Sequence, residues 1–361
     1  MKYNELDVIS SFKLPSKCVK AELFGNGHIH DTWLVKCDNG DKFVMQCINK
    51  EVFKKPDEVM ENMLLITEHL RRKVLDEGGE PDREVINLCK TFNDKAYYLS
   101  PEGEFFRMYN YIGGAKTYNT VENPLHFYNA AKAFGRFQKR LNDFSVDSLL
   151  YTIPDFHNTK KRYSNLMKAV AEDKFGRAAE VAKEIEFAKS READVNVIVA
   201  LMEQGRIPLR VTHNDTKFNN VLIDDKTHEG ICVLDLDTVM PGSLLYDYGD
   251  SLRFGANKAM EDETDLSKVD FDFSLFETFT SGFLSELKDY LAPAEAENLG
   301  FSIKLMTLEC GMRFLTDHLS GDVYFKIKRP NHNLDRCRTQ FKFVEVIEEN
   351  LDKINRYISS L

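Results

Sequence analysis

The chain has 361 residues, 43% of them hydrophobic, and a formal net charge of −10 at pH 7. This length is enough for two packed lobes or one large domain, and an acidic chain with no basic stripe is a poor partner for nucleic acid. No apolar run approaches the roughly 18 residues of a membrane span, and the N-terminus has no apolar segment of signal length. The seven cysteines form no C-x-x-C pair, which indicates reduced thiols and neither a disulfide framework nor a zinc site. The sequence predicts a cytoplasmic globular protein, with no sign of a membrane, nucleic-acid or obligatory protein partner.

The first part of the chain is rich in predicted strands. Runs of β-branched and aromatic residues alternate with turn-forming segments, and the sequence Asp-Asn-Gly at residues 38–40 predicts a hairpin. After Pro56, apolar residues recur at helical spacing from Val59 to Leu70, which predicts one amphipathic helix. The predicted strands cover residues 17–25, 31–37, 41–49, 95–100 and 105–112. We expect a small lobe of five strands and one helix over residues 1–110.

The remainder, residues 111–361, has the periodicity of helices. The glycine pair Gly113-Gly114 marks the change, and Asn123 followed by Pro124 is typical of a helix start. Further helices are predicted near residues 158–170, 176–204, 273–291, 302–319 and 336–358. The chain therefore has the pattern of two lobes that meet near residues 109–116.

The segment VTHNDTKFNNVLIDD, residues 211–225, carries three polar residues in an apolar frame. His213, Asp215 and Asn220 follow the order H-x-D-x-x-x-x-N. Phosphoryl transfer from ATP uses a carboxylate that accepts a hydrogen bond from the attacking hydroxyl, and an amide oxygen a few residues on that holds magnesium. Turn chemistry alone is the alternative for such residues, and His213 is equally consistent with a loop anchor.

A second acidic segment, ICVLDLDTVMPG, follows at residues 231–242. It has the pattern of a buried strand that ends at Asp235, with room for one hairpin after Asn220. We expect this hairpin to bring Asp235 beside Asp215, where its carboxylate could bridge magnesium to the β- and γ-phosphates.

A glycine-containing loop lies between the first two predicted strands. The segment GNGHIHDTW, residues 25–33, is similar to the phosphate loop G-x-G-x-x-G, with His30 where the third glycine would stand. Gly25, Gly27, His28 and His30 are therefore candidate nucleotide contacts, although a plain hairpin turn also accounts for the glycines.

Together these segments resemble the aminoglycoside phosphotransferase and choline kinase superfamily, relatives of the protein kinases. With LDLDTVMPGSLLYDYGDSLRFGAN, RFLTDHLSGDVYFK and HNLDRCRTQ, the resemblance is closest to N-acetylhexosamine 1-kinases and spans nearly the whole chain. It implies an α+β, two-lobed protein-kinase-like fold, with a small antiparallel-sheet N-terminal lobe and a larger, mostly helical C-terminal lobe. It also implies an ATP- and Mg²⁺-dependent transfer of phosphate to the anomeric (C1) hydroxyl of an N-acetylhexosamine sugar.

The resemblance assigns roles to the nucleotide side of the site. Asp215 would be the base, and Asn220 and Asp235 the magnesium ligands. Asp237 would bind a second metal ion or supply an oxygen outside the direct ligands of the first. The loop at residues 25–30 would cover the phosphates, and Tyr109 and Tyr111 would lie in the segment against adenine.

One position departs from the kinase pattern. Gln46 stands where protein kinases have a lysine on the third strand, and period-two alternation directs it at the nucleotide. A neutral amide cannot neutralise phosphate. This puts the usual lysine–glutamate ion pair in doubt, along with any role for Glu61.

Polar residues late in the chain are candidates for the acceptor pocket, because sugars are bound by planar polar groups beside an apolar surface. Arg313 and Asp317 are spaced i, i+4, so a helix ion pair is an equal alternative for them. Three residues of the segment YDYGDSLRF are more consistent with braces under the catalytic loop, namely Asp247, Asp250 and Arg253. The candidate acceptor contacts are Arg313, Asp317, Tyr324, His332 and Arg336.

Other functions stay open at this stage. VLDLDTV also fits the nucleophile motif of haloacid-dehalogenase-type phosphatases, with Asp235 as nucleophile and Asp237 as acid–base. Gln46 suggests a non-catalytic nucleotide-binding relative. The acceptor could be another sugar, an aminoglycoside or a choline-like amine, although choline calls for an aromatic cage and the single Trp33 lies in the first lobe.

Overall fold

A twisted antiparallel sheet of five strands forms the N-terminal part of the computed structural model, which describes residues 3–25 and 29–361. The strand order is β1-β2-β3-β5-β4. The β2–β3 turn closes through a bond from the Cys37 amide to the Asp41 carbonyl (3.0 Å), with Gly40 at a φ of +92° that favours glycine. The five predicted strands and the hairpin are confirmed. Their bounds are β1 Cys18–Leu23, β2 Asp31–Cys37, β3 Lys42–Cys47, β4 Tyr98–Leu99 and β5 Phe105–Asn110.

Helices cover both faces of this sheet. The short helix α1 (Glu5–Ile9) packs on one face, around the buried Trp33 and Met45. The long helix α2 (Pro56–Asp76) buries the predicted apolar stripe in a cluster that also contains second-lobe residues, including Phe137. Helix α1 was not predicted, because a single turn is too short to show a periodicity. The predicted α2 is confirmed, and it connects the cores of the two lobes.

Cys18 and Cys37 face each other across β1 and β2 and form a disulfide. The prediction that all seven cysteines are reduced is therefore wrong for this pair. The other five cysteines are free thiols.

The second lobe is mostly helical, as predicted. Its centre is the buried helix α10, which packs against α5, α8 and α11. Gly249 allows the close approach of α8, since a Cβ at that position would lie 2.4 Å from the Ser302 carbonyl oxygen. Helix α3 and the helices of the second lobe are α3 Pro81–Glu84, α4 Pro124–Arg140, α5 Thr159–Glu172, α6 Ala182–Lys189, α7 Val197–Glu203, α8 Leu244–Gly255, α9 Phe273–Leu287, α10 Pro293–Leu319 and α11 His332–Ser360.

Two helix predictions differ in extent. The single helix expected at 176–204 is divided into α6 and α7, which a polar segment separates. Helix α10 starts nine residues before the predicted 302, because Pro293 occupies its first turn and the Glu295 carboxylate accepts the Ala292 amide (2.8 Å). Within the part of the chain that the structure describes, no helix is long and apolar enough to cross a membrane.

Short strands of the second lobe carry the two acidic segments. The hairpin of β8 and β9 pairs Val221 with Val233, and β6 extends it on the β8 side. A second ladder joins β7 to β10, so the polar segments that follow β7 and β9 are held at one end of the hairpin. The strands are β6 Ala115–Lys116, β7 Arg210–Thr212, β8 Val221–Asp224, β9 Gly230–Val233 and β10 Met240–Gly242. The division of the chain at residue 110 stays a prediction.

Candidate active site

The loop between β7 and β8 is held rigidly by backbone and side-chain bonds. Asp247 on α8 accepts the amides of His213 (2.9 Å) and Asn214 (2.7 Å), so Asp247 is a brace, as the sequence indicated. Asn214 has a φ of +64°, a conformation that Asn tolerates better than most residues. The buried His213 places its Nε2 2.7 Å from the Leu234 carbonyl, which makes it a loop anchor between the two acidic segments.

Asp215 lies at the open side of this loop. Its carboxylate pairs with Lys217 at 2.8 Å and is 24% exposed. Burial would raise the pKa of Asp215, but the Lys217 ammonium outweighs it and the net pKa is lowered. The Asn220 amide nitrogen donates to the Asp215 carbonyl oxygen (2.8 Å), so the Asn220 amide oxygen is turned away from this bond.

Asp235 stands beside Asp215 and Asn220, as the predicted hairpin required. The Leu234 amide donates to the Asn220 carbonyl (2.8 Å) at the end of the β8–β9 ladder. Asp235 then turns the chain with a φ of +57°. Enclosure by protein, followed by the negative charges of Asp237 and Asp215, raises the pKa of Asp235, although this residue is exposed to solvent.

Gln46, which the sequence predicts to face the nucleotide, belongs to a buried network of hydrogen bonds. Arg107 on β5 donates both terminal nitrogens to the Asp237 carboxylate, and each side chain is 2% exposed. The Gln46 amide is used within the protein: its oxygen accepts from Arg107 Nε (2.9 Å) and its nitrogen donates to Thr32 (3.2 Å).

Sequence reasoning missed Arg107. The signal in the sequence was a charged residue in the middle of the apolar strand FFRMYN. The structure adds that Arg107 pairs in register with Gln46. Glu61 on α2 is exposed to solvent. Within the described residues, the buried ion pair at this site is Arg107–Asp237, and Glu61 takes no part in it.

The described residues on either side of the predicted phosphate loop contact the second lobe and the segment between the lobes. Gly25 has a φ of +77°, which favours glycine, whereas Gly27 and His28 lie outside the described residues. His30 bonds Asp237 from this loop (2.8 Å). Two aromatic side chains meet edge to face near the loop, Phe24 and Tyr111, with ring centroids 6.0 Å apart. Tyr109 is half-buried on β5, and burial raises the pKa of its phenol.

A separate cavity of about 230 Å³ opens beside α5 and α10. The Arg313 guanidinium lies 5.4 Å from the Phe156 ring centroid and 5.5 Å from that of Phe325. Tyr324, 63% exposed, and Arg162 also line the cavity. The sequence did not single out Arg162 or Phe156, because they come from a different segment of the chain.

The remaining acceptor candidates hold the loop that follows α10. The buried Asp317 carboxylate accepts the amides of Val323, Tyr324 and Phe325 at 2.8–3.0 Å. Arg313 pairs with Glu309 at 3.6 Å, so the alternative of an Arg313–Asp317 helix ion pair is wrong.

His332 and Arg336 contact the same loop from α11. Both His332 ring nitrogens are engaged, with Asp262 (2.8 Å) and the Lys328 amide (3.1 Å). Arg336 donates to the Lys326 carbonyl (3.3 Å) and lies over the Phe314 ring.

A buried ion cluster connects the cavity to the catalytic loop. Glu309, 1% exposed, lies 3.4 Å from Arg162 and 3.7 Å from His157. The other ring nitrogen of His157 bonds the Asn214 carbonyl at 3.1 Å. Burial would raise the pKa of Glu309, but Arg313, His157 and Arg162 lower it to about 2.

The strand-rich lobe, the helical lobe and the acidic residues between them are those of a kinase-like phosphotransferase. A family model described as the phosphotransferase enzyme family, APH, matches residues 20–269, and the chain belongs to this family. Membership excludes the dehalogenase-type phosphatase alternative. The confirmed α+β, two-lobed fold agrees with it.

Solved structures with the same fold cover nearly the whole chain. The first is an aminoglycoside phosphotransferase from Alicyclobacillus acidocaldarius, at 13% identity and a TM-score of 0.61 over 98% of this chain and 96% of that one. Amicoumacin kinase hAmiN, solved with AMP-PNP, Ca²⁺ and Ami, has 12% identity and a TM-score of 0.60 over 95% and 94%. A choline kinase from Cryptosporidium parvum Iowa II has 14% identity and a TM-score of 0.55 over 94% and 92%. At these identities the likeness is one of fold.

Proposed function

We propose that the protein is an ATP- and Mg²⁺-dependent small-molecule kinase that phosphorylates the anomeric hydroxyl of an N-acetylhexosamine. The observation that carries the proposal is the convergence of Asp215, Asn220 and Asp235 at the edge of the cleft, with a polar and aromatic cavity on the side of the catalytic loop. The nucleotides in related structures, such as AMP-PNP in amicoumacin kinase, support ATP as the donor.

Asn220 and Asp235 are suitable ligands for magnesium. Mg²⁺ is commonly held by one or two protein oxygens together with substrate phosphates, so two ligands suffice. Enclosure by protein and then the negative charges of Asp237 and Asp215 raise the pKa of Asp235, and a bound cation would favour its ionised form. When bound, the metal neutralises charge on the transferring phosphoryl group.

Asp215 is the candidate base. Lys217 lowers the pKa of Asp215, so the carboxylate is ionised at neutral pH and can accept a hydrogen bond from the acceptor hydroxyl. An anomeric hydroxyl is protonated at this pH. The main tasks of Asp215 are then to orient the hydroxyl and to accept its proton late in the transfer.

The cavity favours a neutral acceptor. Its charged side chains with accessible surface include the guanidiniums of Arg162 and Arg313, whereas the carboxylates of Glu309 and Asp317 are buried behind them. A cationic acceptor such as choline or an aminoglycoside would be repelled by these guanidiniums. An acetamido sugar offers neutral oxygens to the arginines and an apolar face to the aromatic rings.

We assign different tasks to the acceptor candidates. Arg313 and Tyr324 are proposed to contact the sugar. Asp317, His332 and Arg336 are proposed to hold the loop that presents Tyr324, because their polar groups bond the backbone or side chains of that region.

A panel of acceptors with Mg·ATP tests the proposal. N-acetylglucosamine and N-acetylgalactosamine should be converted to products whose ³¹P spectrum shows an anomeric phosphate. Glucosamine, which differs by a free amine, is the matched control and should react at least about tenfold more slowly, since a charge repulsion of about 1.4 kcal/mol is a factor of ten. Preferred turnover of choline or an aminoglycoside, or phosphate on the C6 hydroxyl, would contradict the acceptor assignment.

A further inference from the structure

Two segments of the N-terminal lobe bond one carboxylate of the second lobe, and a third segment supports one of them. Arg107 from β5 binds both oxygens of Asp237, and His30 from the loop after β1 bonds one of them. The backbone amide of Asn49, just after β3, donates to His30 Nδ1 at 3.0 Å. Since Nδ1 is an acceptor, the proton of a neutral His30 lies on Nε2 and is donated to Asp237.

This arrangement bears on the role of Asp237. Three of its lone-pair positions are occupied by Arg107 and His30, and the side chain is 2% exposed. Asp235, two residues earlier, still reaches solvent in the cleft. A bidentate, buried carboxylate is suited to holding its own turn in place, while its neighbour faces the ligand.

We propose that Arg107 is a positioning residue for the nucleotide site, in a chain whose β3 carries Gln46 in place of the kinase lysine. Through Asp237 it holds the turn that carries Asp235, and His30 bonds the same carboxylate. In protein kinases the β3 lysine is positioned by a glutamate of the neighbouring helix. In this chain the pair joins the two lobes, and Gln46 orients the guanidinium by accepting from its Nε. The inference rests on the proposed nucleotide-dependent function and deepens it.

The test removes the positive charge at position 107 on β5 and introduces one at position 46 on β3. Arg107→Met should weaken binding of Mg·ADP by about 10–100-fold, the usual cost of losing a group that orients a metal ligand. Adding Gln46→Lys should restore most of this affinity, because position 46 lies beside the guanidinium and a lysine is one bond longer than a glutamine. Restoration by a cation on a different strand is not expected if Arg107 serves only in packing. Because a lysine at position 46 could also contact the phosphates directly, adding Asp237→Asn to the double variant should abolish the recovery if the lysine acts through Asp237.

Calorimetric titration of Mg·ADP measures these affinities without an acceptor. Arg191→Met is the matched control, because Arg191 makes a bidentate pair with Glu348 away from the cleft, and its nucleotide affinity should equal that of the wild type. If Arg107→Met does not fold, the Gln46→Lys/Arg107→Met variant, which carries a cation at the position paired with residue 107, still tests the idea by the same titration.

The outcomes separate the two proposals. Wild-type affinity in Arg107→Met, or a folded double variant that does not regain binding, overturns the positioning role alone. Failure of the wild-type protein to bind Mg·ADP would overturn the proposed function as well. Weak binding in Arg107→Met, with recovery in the double variant that Asp237→Asn abolishes, supports the inference, whereas recovery that survives Asp237→Asn overturns the role through Asp237.

Discussion

Replacement of Asp215 by asparagine isolates the candidate base from the fold around it. The shorter bond from Asn220 Nδ2 reaches the backbone carbonyl of residue 215 at 2.8 Å and is unaffected by the substitution, whereas its longer bond to the Asp215 carboxylate (3.4 Å) would be made to an amide instead. The pair with Lys217 is lost, but both side chains are partly exposed, so this loss is worth about 0–1 kcal/mol of folding stability. The variant should therefore fold and keep its loop.

The expected loss is in turnover. General-base assistance contributes roughly 10²–10⁴-fold, which corresponds to about 3–5 kcal/mol of barrier. Asp215→Asn should lower kcat by this factor, while KM for ATP stays within about threefold, because Asp215 is not expected to hold the phosphates.

The assay is a steady-state measurement of ADP release with N-acetylglucosamine, supported by single-turnover experiments that report the chemical step. Asp225→Asn is the matched control, since Asp225 is an exposed aspartate beyond the catalytic loop and its loss should leave kcat unchanged. Full kcat in Asp215→Asn would refute the assignment of the base. A large rise in KM for ATP with unchanged kcat would place Asp215 in nucleotide binding instead.

Three further predictions concern the metal, the acceptor and the buried acid. Asp235→Asn should abolish nearly all turnover and raise the Mg²⁺ concentration for half-activity at least about tenfold. Chelation of the metal should inactivate the wild type. An unchanged magnesium titration in the variant would contradict the role of Asp235 as a ligand. Arg313→Met should raise KM for the sugar about 10–100-fold without altering KM for ATP, since hydrogen bonds to charged groups contribute about 1.5–3 kcal/mol. Equal changes in both KM values would indicate a general disturbance of the structure. The ion cluster lowers the pKa of Glu309 to about 2 from the ordinary glutamate value of 4.5, so its ionised form contributes about 3 kcal/mol of folding stability. This contribution is present above pH 4.5 and is lost as the pH falls toward 2. Denaturant titrations should show a shallower acid destabilisation in Glu309→Gln than in the wild type, and parallel curves would argue against this ion cluster.

Local patterns were sufficient to predict most of the fold. The turn at residues 38–40 and the alternation in β2 and β3 depend on neighbours in sequence, and the same is true of the spacing of His213, Asp215 and Asn220. The hairpin that brings Asp235 to Asp215 followed from its length and its buried strand pattern. These features depend on contacts within a short stretch of chain, which explains why sequence reasoning reached them.

Long-range polar pairing was not predictable in the same way. Arg107 and Asp237 are 130 residues apart, and nothing in either segment indicates the other. Asp317 and Tyr324 were predicted as equivalent acceptor contacts. In the structure Asp317 is buried and accepts hydrogen bonds from three backbone amides, whereas Tyr324 is exposed. The direction of a side chain on α10 depends on the loop that packs over it, so the contacts of each residue could not be predicted from the sequence.

The two acidic segments are connected to different parts of the molecule, and this has a functional consequence. The turn with Asp235 is linked to the N-terminal lobe through Asp237 and Arg107, whereas the loop with Asp215 is linked through His157 and Glu309 to Arg313 in the cavity. His213 joins the two segments by its bond to the Leu234 carbonyl. Perturbation of Arg107 should therefore act first on nucleotide binding and perturbation of Arg313 on acceptor binding. A change at His213, which connects both paths, should affect the two substrates together.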